Sequence, residues 1–432
     1  MVGRYWLETL GCPKNRVDSD KLAGTLRRDG YEPAADPGDA DLVVVNTCAF
    51  IEAARQESID TILELAALRR PDARLVVSGC LAERYGAELA AALPEVDQVA
   101  GFGVPVTLGR RAEVAGGGPV PGEAPSFDLL NLARPPGDAP WAYVKIAEGC
   151  DRRCGFCAIP SFRGPQRSRP GDAVLAEIDE LGASVKEIVL VAQDLASWGL
   201  DRSAPQRRAR PPGAARPIVE LVRQVAARVA RVRLLYLYPS ALDDDLVEAV
   251  LDSGVPYFDL SLQHVSRPLV SRMRRWGDGD RFLERIASIR KEAPHAALRS
   301  SFILGYPGET EADHDRLLEF LTEARLDWAG FFTFSEEEGT AAAGLADPVP
   351  GELALERLRE CAEIQDAITA ERRADLVGER IEVLVDEPGV GRSYREAPEI
   401  DGVVHVEHTW AVGELRPVTV TSAAGPDLWA AA

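Results

Sequence analysis

Short apolar runs at residues 5–10, 42–46 and 75–77 alternate with helix-length segments at 18–29, 52–68 and 83–93. Parallel strands need long crossovers, so this order predicts an α/β parallel sheet covered by helices. The pattern fails across AEVAGGGPVPGEAP at 112–125, where a domain boundary is expected. It restarts near Trp141, with strands expected at 143–147, 187–191, 233–237, 257–262, 298–304 and 328–334. Six strand–helix units predict a partial (β/α) TIM-type barrel, with its chemistry at the C-terminal strand ends. Within it, DRSAPQRRARPPGAARP at 201–217 has no period and is expected to be a surface loop. A charged helix at 352–373 closes this region. Runs at 380–385, 402–407 and 416–421, separated by turn residues, then predict a small all-β barrel. The expected division is 1–112, a linker at 113–138, the barrel at 139–374 and the terminal domain at 375–432. No repeat of solenoid period is present.

Length agrees with several domains, since 432 residues exceed what one core usually supports. Hydrophobic residues at 46% and charged residues at 27% are a globular balance. No run of about 18 apolar residues occurs, and residues 1–10 lack the apolar core of a secretory signal, so a cytosolic location without membrane contact is expected. The formal charge of −20 opposes the phosphate contacts on which nucleic-acid affinity depends. A basic protein partner fits better than direct nucleic-acid binding.

Seven cysteines, an odd number, suit metal binding or catalysis better than a disulfide framework. Three of them, Cys150, Cys154 and Cys157, form C-x3-C-x2-C directly after the first expected barrel strand. Structural zinc takes four protein ligands, and the nearest downstream histidine is His264. An iron-sulfur cubane tolerates three thiolates and leaves one iron open. Such an iron can chelate the amino and carboxylate groups of S-adenosylmethionine and set its sulfonium up for reductive cleavage. A partly filled zinc site or a trio of buried thiols is the alternative. The spacing also resembles the signature of the radical S-adenosylmethionine superfamily, which implies that Phe156 lies near the adenine; ordinary packing is its other reading.

Cys12, Cys48 and Cys80 share one setting, each between a strand-like and a helix-like run (LETLGCPKN, VVVNTCAFIE, LVVSGCLAER). In a parallel sheet these loops gather at one edge, where helix N-termini favour an anionic cluster. Singly, each would more often be a small buried apolar residue; the repeated placement points to a second cluster. Cys361 sits at a helical core spacing and is read as packing.

With both trios and the terminal barrel, the whole chain resembles the methylthiotransferase family: a cluster domain, a radical S-adenosylmethionine barrel and a C-terminal TRAM domain. AIPSFRGPQRSR, YFDLSLQHVS, MRRWG, FILGYPGET, FSEEEGTAA and GRSYREAPEIDG are similar to the branch acting on ribosomal protein S twelve. The resemblance implies two [4Fe-4S] clusters, S-adenosylmethionine as both radical source and methyl donor, and an electron donor. It implies a methylthio group added to the β-carbon of one aspartate. From residue 376 onward ten acidic residues face four basic ones, net −6, which favours a basic protein substrate over RNA; a solvated acidic face that serves solubility is the alternative reading. Gln193, Arg299 and Glu309, at or near strand ends, are candidate cofactor contacts. Asp194 and His264 are further candidates, and turn-forming, structural or packing roles are the alternative reading for all five. The alternatives are a transfer-RNA methylthiotransferase and a non-catalytic iron-sulfur or zinc scaffold.

Overall fold

The computed structural model describes residues 3–106, 128–135, 137, 139–202 and 216–432. The boundary at 112–125 and nearly all of the 201–217 loop lie outside the described residues. The chain divides into two compact units: residues 1–136, 145–169 and 335–340, and residues 137–144, 170–334 and 341–432.

In the first unit, strands β1 (Arg4–Thr9), β2 (Glu32–Pro33), β3 (Leu42–Thr47), β4 (Arg74–Gly79) and β5 (Gln98–Ala100) form a parallel sheet in the order β2-β1-β3-β4-β5. Helices α1 (Pro13–Arg28), α2 (Glu52–Leu68) and α3 (Cys80–Ala92) are its crossovers. LVVVNT is buried at every position, as a central strand covered on both faces must be. Alternation sorts its side chains: Val43 and Val45 pack with Leu75, Val77, Ile62 and Leu89, whereas Leu42 and Val44 pack with Tyr5, Leu22 and Leu26. Helix α1 begins five residues before the apolar period does, because Pro13 presets the first turn and the polar Lys14 and Asn15 extend it. Strands β2 and β5 are too short to show a period in sequence.

Past strand β6 (Trp141–Lys145), residues 145–169 also belong to this unit. The short antiparallel pair β7 (Ala147–Glu148) and β8 (Arg167–Ser168) closes the neck of a loop carrying helix α4 (Ile159–Arg163). Ala158, Ile159 and Phe162 pack in the same apolar cluster as Cys80 and Leu81. Residues 335–340 are held by Glu337, whose buried carboxylate accepts from Arg55 (2.5 Å) and Arg84 (2.6 Å).

The second unit contains strand β6, β9 (Glu187–Val191), β10 (Arg231–Leu234), β11 (Tyr257–Gln263), β12 (Ala297–Leu304) and β13 (Trp328–Thr333). They pair in chain order, with the two halves joined by a parallel bridge between Leu237 and Leu260. The helices between them are α5 (Gly171–Leu181), α6 (Pro217–Ala226), α7 (Asp244–Leu251), α8 (Arg267–Arg272), α9 (Gly279–Glu292) and α10 (Glu311–Ala324). This is the expected partial barrel. Strand β10 stops short of residue 237 because Tyr236 adopts φ +65 and gives its N–H to Asp259 (2.9 Å).

After helix α11 (Gly351–Ala374), strands β14 (Arg380–Glu387), β15 (Val390–Arg392), β16 (Val404–His405), β17 (Leu415–Ala424) and β18 (Asp427–Ala431) close a barrel around Val383, Val404, Val418 and Leu428. Of the run expected at 402–407 only two residues pair, since the Val403 N–H bonds the Asp427 carboxylate instead (2.9 Å). GRSYREAPEIDG is the connection that meets the N-terminal part of every partial-barrel strand. Tyr143 donates to Pro398 O (2.8 Å), Arg392 to Glu187 (3.1 Å), Arg233 to Tyr394 O (2.9 Å) and Trp328 to Arg395 O (2.7 Å). Tyr257 (2.6 Å) and Arg299 (3.3 Å) both donate to Asp401.

Burial pushes the Glu187 carboxyl up, but Arg233, Arg392 and Arg231 outweigh it and bring it from 4.5 to about 2. A depressed carboxylate stabilises the fold above its unfolded value, and that contribution is lost as pH falls from 4.5 towards 2. Glu187→Gln is therefore expected to destabilise this unit by about 3 kcal/mol at pH 7, with the deficit shrinking below pH 4.5. Denaturant unfolding at pH 7 and at low pH checks both the loss and its sign.

Candidate metal centre

Strands β1, β3 and β4 are neighbours, and the chain leaves their C-terminal ends onto Cys12, Cys48 and Cys80. The order 2-1-3-4-5 reverses direction between β1 and β3, and open α/β sheets bind ligands outside the strand ends at that switch. Cys12 is the N-cap of α1, its carbonyl accepting from the N–H groups of Asn15 (2.8 Å) and Arg16 (3.2 Å). Cys80 is the first residue of α3. The Cys48 N–H donates to Ser58 Oγ (3.1 Å), which donates back to the Cys48 carbonyl (3.0 Å). Two helix N-termini thus face this edge, a setting that favours negative charge.

Two glycines make the convergence possible. Gly11 has φ +91, and a Cβ there would stand 2.7 Å from Cys48 Cβ and 2.9 Å from its sulfur. Gly79 has φ +90 and lies against the Asn46 side chain and the Thr47 backbone. Asn15, fully buried, laces the loops together: its Nδ2 donates to Leu10 O (3.0 Å) and Thr47 O (2.9 Å). The Thr47 hydroxyl donates to Ser78 O (2.5 Å) and accepts from the Leu81 N–H (3.3 Å).

Electrostatics separate the three thiols. Burial, then the neighbouring Cys80 and Cys12, push Cys48 up to about 12. Burial also raises Cys80, although Arg163 pulls against it. At Cys12 burial is outweighed by Lys14, Arg163 and the backbone N–H groups of Asn15 and Lys14, so its thiol falls below the usual range. Mutual repulsion among converging sulfurs, relieved by cations and helix N-termini, is a donor setting that bound iron would satisfy.

In the second trio, Cys150 is buried, its N–H donating to Gly164 O (3.1 Å), and its sulfur accepts from the Arg152 N–H (3.4 Å). Cys154 and Cys157 are half-buried, tied by a turn from the Cys157 N–H to the Cys154 carbonyl (3.2 Å). Among the described residues no three Cys, His, Asp or Glu side chains close around a single ion.

Phe156 lies half-buried in the turn between Cys154 and Cys157, and Gln193 half-buried just past the C-terminal end of β9. Asp194 is buried beside it and accepts from Ser197 Oγ (2.7 Å). Arg299 and Glu309 are the remaining expected cofactor contacts. Arg299 is the third residue of β12, at its N-terminal end, where its guanidinium is spent on Asp259 (3.0 Å) and Asp401. Glu309 is buried, accepting from the N–H groups of Gly305 (2.6 Å) and Tyr306 (3.2 Å) and from Arg357 (3.0 Å), bonds that fix the turn. His264 is fully buried and brought down to about 4 by burial, its Nδ1 accepting from the Ser266 N–H (3.1 Å). Cys361 is buried on α11.

Sequence reasoning did not single out Asn15, Glu148 or Arg163. Their signal was position: CPKN places an asparagine in the first turn after Cys12, and charged residues bracket the second trio in EGC and SFRG. Burial pushes the Glu148 carboxyl up, yet Arg163 and Lys145 outweigh it and hold it well below the carboxylate range.

A partial barrel with a three-cysteine loop after its first strand defines the class. Radical SAM superfamily matches residues 144–321, with Uncharacterized protein family UPF0004 at 4–101 and TRAM domain at 377–432. This fold is a radical S-adenosylmethionine enzyme, a class that uses a [4Fe-4S] cluster with S-adenosylmethionine. Relatives named Ribosomal protein uS12 methylthiotransferase RimO include that of Moorella thermoacetica, 44% identical over 92% of both chains. That of Myxococcus xanthus is 42% identical over 98% of this chain and 90% of its own. The chain belongs to this family of radical S-adenosylmethionine methylthiotransferases. The solved radical S-adenosylmethionine methyltransferase TsrM from Kitasatospora setae aligns with TM-score 0.49 and 15% identity, covering 96% of this chain and 80% of that one.

Gly11→Ala is expected to destabilise the first unit by about 1–3 kcal/mol, because a left-handed backbone must then carry a Cβ against Cys48. Chemical unfolding followed by a probe in that unit measures it.

Proposed function

We propose that this chain adds a methylthio group to the β-carbon of an aspartate in ribosomal protein uS12, with one [4Fe-4S] cluster on Cys150, Cys154 and Cys157 and a second on Cys12, Cys48 and Cys80. The observation that carries the reading is that three thiols from loops far apart in sequence meet at one sheet edge, in the unit that also holds the C-x3-C-x2-C loop. When bound, a cluster with an open iron and S-adenosylmethionine supply reductive carbon–sulfur cleavage and a radical able to take hydrogen from an unactivated carbon.

The chain's own residues supply the rest. Cys150 anchors its loop through the backbone bond to Gly164, and Phe156 offers an aromatic surface beside it for the adenine. Gln193 stands where a barrel of this kind presents polar groups to ligand. Cys12, Cys48 and Cys80 hold the group that carries the sulfur, and the helix N-termini favour its negative charge.

A basic protein substrate is supported by the terminal barrel. Several of its charges are buried in the connection beneath the partial barrel, but Glu379, Glu382, Glu387, Glu399 and Glu407 remain exposed against Arg380. An acidic surface steers a basic partner and repels the RNA backbone, which disfavours transfer RNA as substrate. No helix of the described residues is long and apolar enough to cross a membrane. An electron donor completes the reaction's needs, and the 1–112, 139–374 and 375–432 segments divide the labour between sulfur supply, radical chemistry and substrate steering.

Anaerobic reconstitution of the full chain is expected to load about eight irons. Incubation with the ribosomal protein, S-adenosylmethionine and a reductant should then give a methylthio mass gain on one aspartate. Cys154→Ala is expected to abolish S-adenosylmethionine cleavage, whereas Cys48→Ala keeps cleavage and loses the mass gain. Methylthio product from Cys48→Ala would overturn the assignment of the N-terminal trio.

A further inference from the structure

Arg163 ends helix α4, just after the C-x3-C-x2-C loop, and its side chain is 1% exposed. One guanidinium nitrogen, Nη1, lies 2.7 Å from Glu148 Oε1 and 3.5 Å from Asp18 Oδ2. The other, Nη2, donates to the Cys80 sulfur (3.0 Å) and to Asn15 Oδ1 (2.9 Å). The group is also stacked on Phe102, 4.4 Å from the ring centroid. Its partners include a carboxylate two residues before Cys150, a sulfur of the other trio, and the asparagine that ties the Cys12 and Cys48 loops.

Neutralising the carboxylates does not require this arrangement. Lys145 already pairs with Asp18 and donates to Glu148 (2.7 Å). Arg163 has its second nitrogen turned to a thiol and an amide, and a planar group with donors in a fixed fork can be aimed in this way where a lysine cannot. Hydrogen bonds to the sulfurs and the net charge nearby are the protein's means of setting a cluster's reduction potential.

Resting on the reading that Cys12, Cys48 and Cys80 hold a cluster, we propose that Arg163 is a positioning residue shared by the two sites: it places one fixed cation against the Cys80 sulfur and thereby raises the reduction potential of the N-terminal cluster, while Glu148 attenuates that cation from the neck of the other cysteine loop. A guanidinium does not titrate in the accessible range, so its charge is constant. Removing it leaves Asp18 and Glu148 beside the site and makes reduction harder. Removing the Glu148 charge has the opposite effect.

The test uses the full chain with Cys150, Cys154 and Cys157 changed to Ala, so that bound iron reports the N-terminal site alone. Redox titration followed by electron paramagnetic resonance should show a lower midpoint potential for Arg163→Gln and a higher one for Glu148→Gln. Arg163→Lys, keeping charge without the fork, should fall between Arg163→Gln and the parent. Opposite shifts cannot come from loosened packing, which would cost iron in both variants without moving the potential oppositely. Unmoved potentials in Glu148→Gln and Arg163→Lys overturn the proposal, even if Arg163→Gln fails to fold. A parent that binds no iron overturns the cluster reading itself.

Discussion

A charge taken out of water must find its opposite inside the protein, at a cost of several kcal/mol if it does not. Both units are organised by that requirement. In the first, Arg163 and Lys145 are enclosed with Asp18 and Glu148, joining the first crossover helix to the neck of the second cysteine loop. In the second, Glu187 lies between Arg233 and Arg392, joining two barrel strands to a connection that arrives 205 residues later. Apolar packing fills the volume around these groups, but the pairing decides which segments must meet.

Strand direction decides the rest. In the parallel sheet, the C-terminal ends of β1, β3 and β4 deliver three cysteines, and the helices that begin there add their positive ends. In the partial barrel the GRSYREAPEIDG connection occupies the N-terminal ends, while Gln193 lies past the C-terminal end of β9. Stability at the bottom and chemistry at the top is the usual partition of barrel strands. Here the bottom is closed by a separate small domain.

The alternating strands and helices were legible because central parallel strands such as LVVVNT and EIVLV are apolar throughout and stand between amphipathic helices. The three-loop setting of Cys12, Cys48 and Cys80 followed from parallel connectivity alone. Polar groups were harder to place. Arg299 and Glu309 sit near strand ends in sequence, but the sequence did not show that one lies at the N-terminal end of its strand or that the other accepts from backbone N–H groups. Nothing local distinguishes a buried Arg163 or Asn15 from an exposed one, since their partners lie 83 and 32 residues away. The acidic count of the terminal barrel likewise mixed exposed carboxylates with Glu396 and Asp401, which are buried against Arg373 and Arg299.

The late-arriving connection also orders the birth of the molecule. During synthesis the strands carrying Glu187, Arg231, Arg233 and Asp259 emerge well before residues 392–401, which bring Arg392 and Asp401 to them. Until that segment leaves the exit tunnel, the floor of the partial barrel is wet and incompletely neutralised. Only once that segment is made can the strands exchange water for these native partners. A nascent chain halted before that point would hold a barrel with its floor still open.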